Sequence, residues 1–92
     1  MSEPVNLTAT FVPNPGEYFR VKLALEIAIE QVRTEPGCLQ YEITEDSEAK
    51  IVLTEQWASQ AELEKHLKAA AKQDLDESLS ALLAEPVSIR QD

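Results

Sequence analysis

The hydrophobic period of this chain switches from two to 3.6 and back, and that switching narrows the folds open to it more than any single motif does. Val5, Leu7, Ala9 and Phe11 alternate with Asn6, Thr8 and Thr10, the pattern of a strand with one apolar face. From Tyr18 the spacing becomes helical. Tyr18, Val21, Leu25, Ala28, Ile29 and Val32 gather on one side, and Phe19, Leu23 and Ile27 form a second stripe at i, i+4 and i+8. The period of two returns in Leu39, Tyr41 and Ile43 and again in Ile51, Leu53, Glu55 and Trp57; the polar stretch Glu45 to Lys50 between them predicts a hairpin with a loop of about six residues. Leu63, His66, Leu67 and Ala70 then share a helical side, Leu75, Leu79, Leu82 and Leu83 mark a second amphipathic stretch, and Val87 to Arg90 is a short last strand.

Punctuation agrees with these periods. In Pro13-Asn14-Pro15-Gly16-Glu17, Asn14 is placed to cap a helix, Pro15 to occupy its first position and Glu17 to close a capping box. Pro36-Gly37 ends that helix. Ser59-Gln60-Ala61-Glu62 is a second capping box, opening a short helix through about Leu67, and Pro86 stops the leucine stretch. The order β-α-β-β-α-β predicts an α+β, ferredoxin-like split βαβ fold, an antiparallel sheet with helices on one face. The leucine face is the expected partner of Phe19, Leu23 and Ile27. The other sheet face carries Asn6, Thr8, Thr10, Gln40, Glu42, Thr44, Val52, Thr54, Gln56, Ser88 and Arg90, polar but dominated by uncharged and β-branched types, which suits a second copy of the sheet better than water. A homodimer is expected.

Ninety-two residues suit one domain, residues 1–92. Eight Lys and Arg against seventeen Asp and Glu leave a formal charge of −9, which disfavours nucleic acid and anionic membrane surfaces as partners. A single cysteine, Cys38, makes no internal disulfide, no apolar run is long enough for a membrane span, and the opening MSEPVNLTATFV lacks the basic start of a signal peptide. A cytoplasmic location is expected. One Cys and one His do not make the usual zinc site, and no glycine-rich phosphate loop or flavin signature is present, so the sequence implies no cofactor and no metal.

Three stretches carry a resemblance: Pro15-Gly16 before the first helix; Arg33-Thr34-Glu35-Pro36-Gly37-Cys38-Leu39-Gln40-Tyr41-Glu42; and Glu55-Gln56-Trp57-Ala58-Ser59 followed by Leu63-Glu64-Lys65-His66-Leu67. The chain resembles the antibiotic biosynthesis monooxygenase domain family of the dimeric α/β-barrel superfamily, and its quinol monooxygenase-like members in particular. The resemblance implies a homodimer whose sheets face each other, with a pocket between each sheet and its own helices. It also implies oxidation of a quinol or polyphenolic aromatic by O2 without metal or flavin. Trp57 matches the family's tryptophan and His66 a histidine of quinol-oxidising members. Leu53 and Leu63 stand where polyketide-oxidising members carry asparagine and tyrosine. Ala9 replaces an asparagine, and His66 a second tryptophan, of haem-degrading members, which disfavours haem degradation.

The chemistry asks for a base and a dry pocket, since a deprotonated phenol or quinol passes an electron to O2 far more readily than its neutral form. His66 is the one side chain that ordinarily titrates near neutrality, and Trp57 offers an aromatic wall; these two are the candidate catalytic residues. Tyr41, Leu53, Glu55, Leu63, Leu7 and Ala9 are the candidate substrate-binding residues, because strand and helix counting turns them toward the gap between sheet and helices. Two other functions fit the same residues: a dimeric binding or accessory protein without chemistry, in which His66 is a hydrogen-bonded core residue, and a proton-transfer isomerase using His66 without O2.

Overall fold

The computed structural model describes residues 3–92; Met1 and Ser2 of the opening lie outside them. The elements are β1 (Val5–Phe11), α1 (Tyr18–Val32), β2 (Cys38–Asp46), β3 (Ile51–Trp57), α2 (Gln60–Lys68), α3 (Ala70–Leu79) and β4 (Ser88–Gln91). The strands form one antiparallel sheet in the order β2-β3-β1-β4. This is the α+β split arrangement that the periods predict.

Strand alternation decides the layering. Leu7, Ala9 and Phe11 of β1 and Ile51, Leu53, Glu55 and Trp57 of β3 are all buried, and the register sets Leu7 opposite Glu55, Ala9 opposite Leu53 and Phe11 opposite Ile51. Val21, Leu25, Ala28 and Val32 of α1 join the same core cluster. Burying a Val or Leu side chain contributes about 1.5–3 kcal/mol, so this stripe, more than intrinsic propensity, holds α1 in place. On the opposite sheet face, Thr8, Thr10, Val52, Thr54 and Gln56 are half-buried. Cross-strand bonds tie that face together: Gln56 Nε2 donates to Asn6 Oδ1 at 3.1 Å, and the Thr44 and Thr54 hydroxyls are hydrogen-bonded to each other at 2.8 Å. No helix among the described residues is long and apolar enough to cross a membrane.

The structure corrects several local expectations. Asn14 does not cap α1: its carbonyl accepts from Glu17 N at 2.9 Å, and Gly16 has φ +84°, as in the type II turn that a Pro-Gly pair favours. The helix starts after that turn with no side-chain cap. Leu39 is not on the core face. Cys38 pairs with Trp57 and Gln40 with Gln56, so Leu39 is the extra residue of a β-bulge, which resets the alternation and leaves it 56% exposed. A second bulge between Ile43 and Glu45 accompanies the continuation of β2 to Asp46, and the hairpin loop shrinks to residues 47–50. Nor do the four leucines share a helix. α3 ends at Leu79, and Leu82 and Leu83 lie in the turn beyond it, where Leu82 O accepts from Asn14 N at 2.8 Å. The predicted cover for the second stripe of α1 is therefore missing, and Phe19, Leu23 and Ile27 are 77%, 58% and 53% exposed.

Candidate active site

β3 supplies two of the site's groups directly, because residues two apart on a strand face the same way. The indole Nε1–H of Trp57 donates to Glu55 Oε1 at 3.0 Å within the core. α2 follows at once. Ser59 Oγ accepts from Glu62 N at 3.3 Å, the capping contact the sequence predicts, and this start sets the helical phase so that Leu63 and His66 face inward. The imidazole of His66 stacks on Trp57 with centroids 4.5 Å apart and planes at 25°, and meets the ring of Tyr41 edge-on at 5.6 Å. His66 is 2% exposed.

Its two nitrogens see different surroundings. Nδ1 lies 3.1 Å from Glu35 Oε1, a hydrogen bond, whereas Nε2 lies 3.9 Å from Glu55 Oε1, beyond hydrogen-bond range. A carboxylate only accepts, so Glu35 selects the tautomer with the proton on Nδ1 and leaves the Nε2 lone pair on the Glu55 side. Glu35 reaches this position from the turn after α1. The helix stops at Val32, Glu35 N bonds to Val32 O at 2.9 Å, and Cys38 N bonds to Glu35 O at 3.2 Å. Gly37 completes the turn with φ +83°, and a Cβ there would come within 2.5 Å of Glu62 Cγ. The positive φ and the approach to α2 both require glycine.

Burial pushes the Glu55 carboxyl above its ordinary range; the Trp57 N–H bond, His66 and Lys72 act in the opposite direction without cancelling it. Burial, aided by the charges of Glu55 and Glu35, drives the Tyr41 hydroxyl well above its ordinary value, so it stays protonated and does not serve as a base. The Cys38 thiol is likewise raised, first by burial and then by Glu35 and Glu55, which keeps it from acting as a nucleophile.

A cavity of about 310 Å³ opens beside this cluster, lined by Leu7, Glu55, Gln60, Leu63, His66, Leu67, Lys72, Ile89 and Gln91. The volume lies at the lower end of small-molecule pockets. Other hollows are larger: about 400 Å³ around Leu79 to Val87 and about 440 Å³ around Asn14 to Phe19, neither lined by a buried titratable side chain among the described residues, and about 390 Å³ at Arg33 and Cys38 to Glu42, bordered by the buried Tyr41. Glu55 and His66 both border the 310 Å³ cavity.

Of the sequence-derived site residues, Leu7, Glu55, Leu63 and His66 line that cavity. Ala9, Tyr41, Leu53 and Trp57 do not; they are at most 2% exposed and form the packed layer behind it. Trp57 is thus not the aromatic wall of the pocket but the surface on which His66 rests. Sequence reasoning missed Glu35, Lys72, Gln60 and Gln91. The place of Glu35 immediately before Pro36-Gly37 was the one available signal.

An antiparallel split βαβ domain with helices on one face and a buried histidine near two acids at the sheet–helix gap is a ferredoxin-like α+β protein. Its sequence matches the antibiotic biosynthesis monooxygenase family over residues 4–77, and the chain belongs to that family. It is similar to Rv0793 of Mycobacterium tuberculosis, a protein provisionally named a monooxygenase, at 28% identity over 97% of this chain and 89% of that one. The structure of Rv0793 superposes with a TM-score of 0.91 at 26% identity, covering 98% of this chain and 93% of that one. PA3566 of Pseudomonas aeruginosa does so with a TM-score of 0.90 at 32% identity, covering 100% and 94%. An antibiotic biosynthesis monooxygenase-like structure from Nitrosomonas europaea, at 17% identity over 100% and 90% of the two chains, shares the fold with a TM-score of 0.92. Family and relatives together support a monooxygenase-like function.

Proposed function

We propose that the protein is a cofactor-independent monooxygenase that oxidises a quinol or polyphenolic aromatic with O2. The observation that carries this reading is His66: a buried imidazole whose Nδ1–H is engaged by Glu35 at 3.1 Å while the ring borders the cavity. Held so, Nε2 is the basic atom, and its orientation costs nothing at the moment of proton transfer. His66 takes the proton of a substrate hydroxyl. The resulting anion passes one electron to O2, the radical pair combines to form the carbon–oxygen bond, and the imidazolium returns its proton to the peroxide. Loss of water completes the reaction. A quinol so treated becomes a hydroxyquinone: one oxygen atom enters the product, the other leaves as water, and all the electrons come from the quinol, so no external reductant is needed.

Trp57 and Tyr41 hold the imidazole plane, and the apolar lining formed by Leu7, Leu63, Leu67 and Ile89 excludes water from the anion. The reading includes a homodimer joined through the face bearing Thr8, Thr10, Val52 and Thr54, which is supported by their half-buried, uncharged character, and a cytoplasmic location. An oxygen-electrode assay with a panel of quinols and anthrones tests it. Wild-type protein consumes O2 with one substrate class, and His66→Ala lowers kcat by about 10²- to 10⁴-fold. Wild-type turnover retained in a folded His66→Ala variant excludes His66 as the base, and no consumption across the panel excludes the activity.

A further inference from the structure

One group in the cavity has no part in the proton transfer just described. Among the described residues Lys72, from the first turn of α3, is the single lysine or arginine lining a cavity whose other polar groups are Glu55, Gln60, His66 and Gln91. It is 20% exposed and is tethered to Asp76, one turn on, with Nζ 2.5 Å from Oδ1; Asp76 itself is 56% exposed. A solvent-exposed acid one helical turn away steers a lysine but neutralises it weakly. Lys72 makes no ion pair with Glu55 among the described residues, yet its field reaches the carboxyl and favours its anionic form. The ammonium thus acts on negative charge inside the cavity without being consumed by a partner there.

We infer that Lys72 is an anion-stabilising residue of the cavity, and that the site takes aromatic substrates with an acidic hydroxyl and binds them as phenolates. Such a group has a place in the charge balance. When the hydroxyl passes its proton to His66, the cavity holds an imidazolium, the carboxyl of Glu55 and a new phenolate. The transfer leaves the net charge of the site unchanged and the imidazolium offsets the phenolate in part; in a chain of formal charge −9, with the Glu55 carboxyl close by, a second cation lowers the cost of the new anion further. Glu35 lies behind the imidazole on its Nδ1 edge, and Asp76 and Lys72 occupy the α3 side. The catalytic consequence rests on the monooxygenase reading; the preference for the phenolate does not.

The two are separable with 4-nitrophenol, whose phenolate absorbs in the visible. Wild-type protein should bind it and raise the bound phenolate-to-phenol ratio over that in buffer at the same pH. Lys72→Gln and Lys72→Met should each lower the bound ratio by about tenfold, and Lys72→Arg should restore most of it. With a substrate that consumes O2, Lys72→Gln should lower kcat by about 10²-fold. An unchanged ratio in both neutral variants, or no nitrophenolate binding by the wild type, overturns the assignment. Oxygen consumption together with an unchanged ratio leaves the monooxygenase reading standing and removes Lys72 from it. A Lys72-dependent ratio without oxygen consumption against any quinol does the reverse.

Discussion

Replacing Trp57 by phenylalanine keeps an aromatic ring under His66 but removes the only hydrogen bond that Glu55 receives from a side chain among the described residues. The bond is 3.0 Å long, donor and acceptor are 0% and 6% exposed, and no water takes the donor's place without opening the core. Loss of a hydrogen bond to a buried charged group costs about 1.5–3 kcal/mol, and the partly collapsed space left by the smaller ring adds about 1 kcal/mol. The variant should therefore be about 3 kcal/mol less stable at pH 7, which for a domain of this size lowers Tm by roughly 12–24 °C. Calorimetry at a fixed protein concentration reads this directly. The mechanism makes a further demand: the cost should shrink as pH falls through the folded-state pKa of Glu55, because a protonated carboxyl needs the donor less. It should also shrink by about half in a Glu55→Gln background, where the acceptor is neutral. A Trp57→Phe protein melting within about 3 °C of wild type at pH 7 would refute the assignment of the indole as the carboxylate's donor. A full loss that is equal at all pH values would assign the effect to packing alone.

Glu55→Gln tests the burial of the acid itself. Because burial raises its pKa above the ordinary 4.5, the native state holds this proton more tightly than the unfolded chain; the linked stabilisation is complete below 4.5 and is lost as pH rises through the folded value. The glutamine variant should consequently be at least as stable as wild type at pH 7 and show a flatter Tm-against-pH curve above 4.5, read by thermal melts in a buffer series. Gly37→Ala should destabilise by at least about 2 kcal/mol in a urea titration, since it combines a left-handed φ with a steric clash. Glu62→Ala should not rescue it, because the new methyl would still lie 2.6 Å from the Cβ of residue 62. Thr54→Arg, at a half-buried position in the middle of the outer sheet face, should shift the sedimenting species from dimer to monomer at micromolar protein; a wild type that sediments as a monomer throughout removes the dimer.

The period of two on β1 and β3 was readable in the sequence to the residue, because each strand has a fully buried face and a one-residue error would place Leu7 or Ile51 in the outer layer. β2 was less legible. Its alternation is interrupted by bulges at Leu39 and between Ile43 and Glu45, and a bulge leaves no compositional mark when the extra residue is itself apolar or β-branched. The candidate site divides in the same way. His66, Glu55 and Trp57 were visible as a set because β3 and α2 are adjacent and the Ser59 cap fixes the phase between them. Glu35 stands 31 residues from its imidazole and is joined to it only by the path of the turn that Gly37 permits.

Lys72 shows a different limit. The run Lys68-Ala69-Ala70-Ala71 is composed of strong helix formers, and local preference alone continues α2 through it. In the fold, Ala69 is extended, with φ −74° and ψ 153°, and a new helix begins at Ala70. That single break resets the helical phase. Leu67, counted with the apolar face by its spacing from Leu63, is 47% exposed, while Lys72 joins His66 in lining the cavity, its Nζ paired with Asp76. The break has no glycine or proline to announce it; what imposes it is the burial of Leu75 and Leu79 against the core, which a straight continuation of α2 would turn away from it. Tertiary packing of two leucines thus overrides the propensity of three alanines, and the same event that hides Lys72 from the sequence brings it to the lining of the cavity that His66 borders.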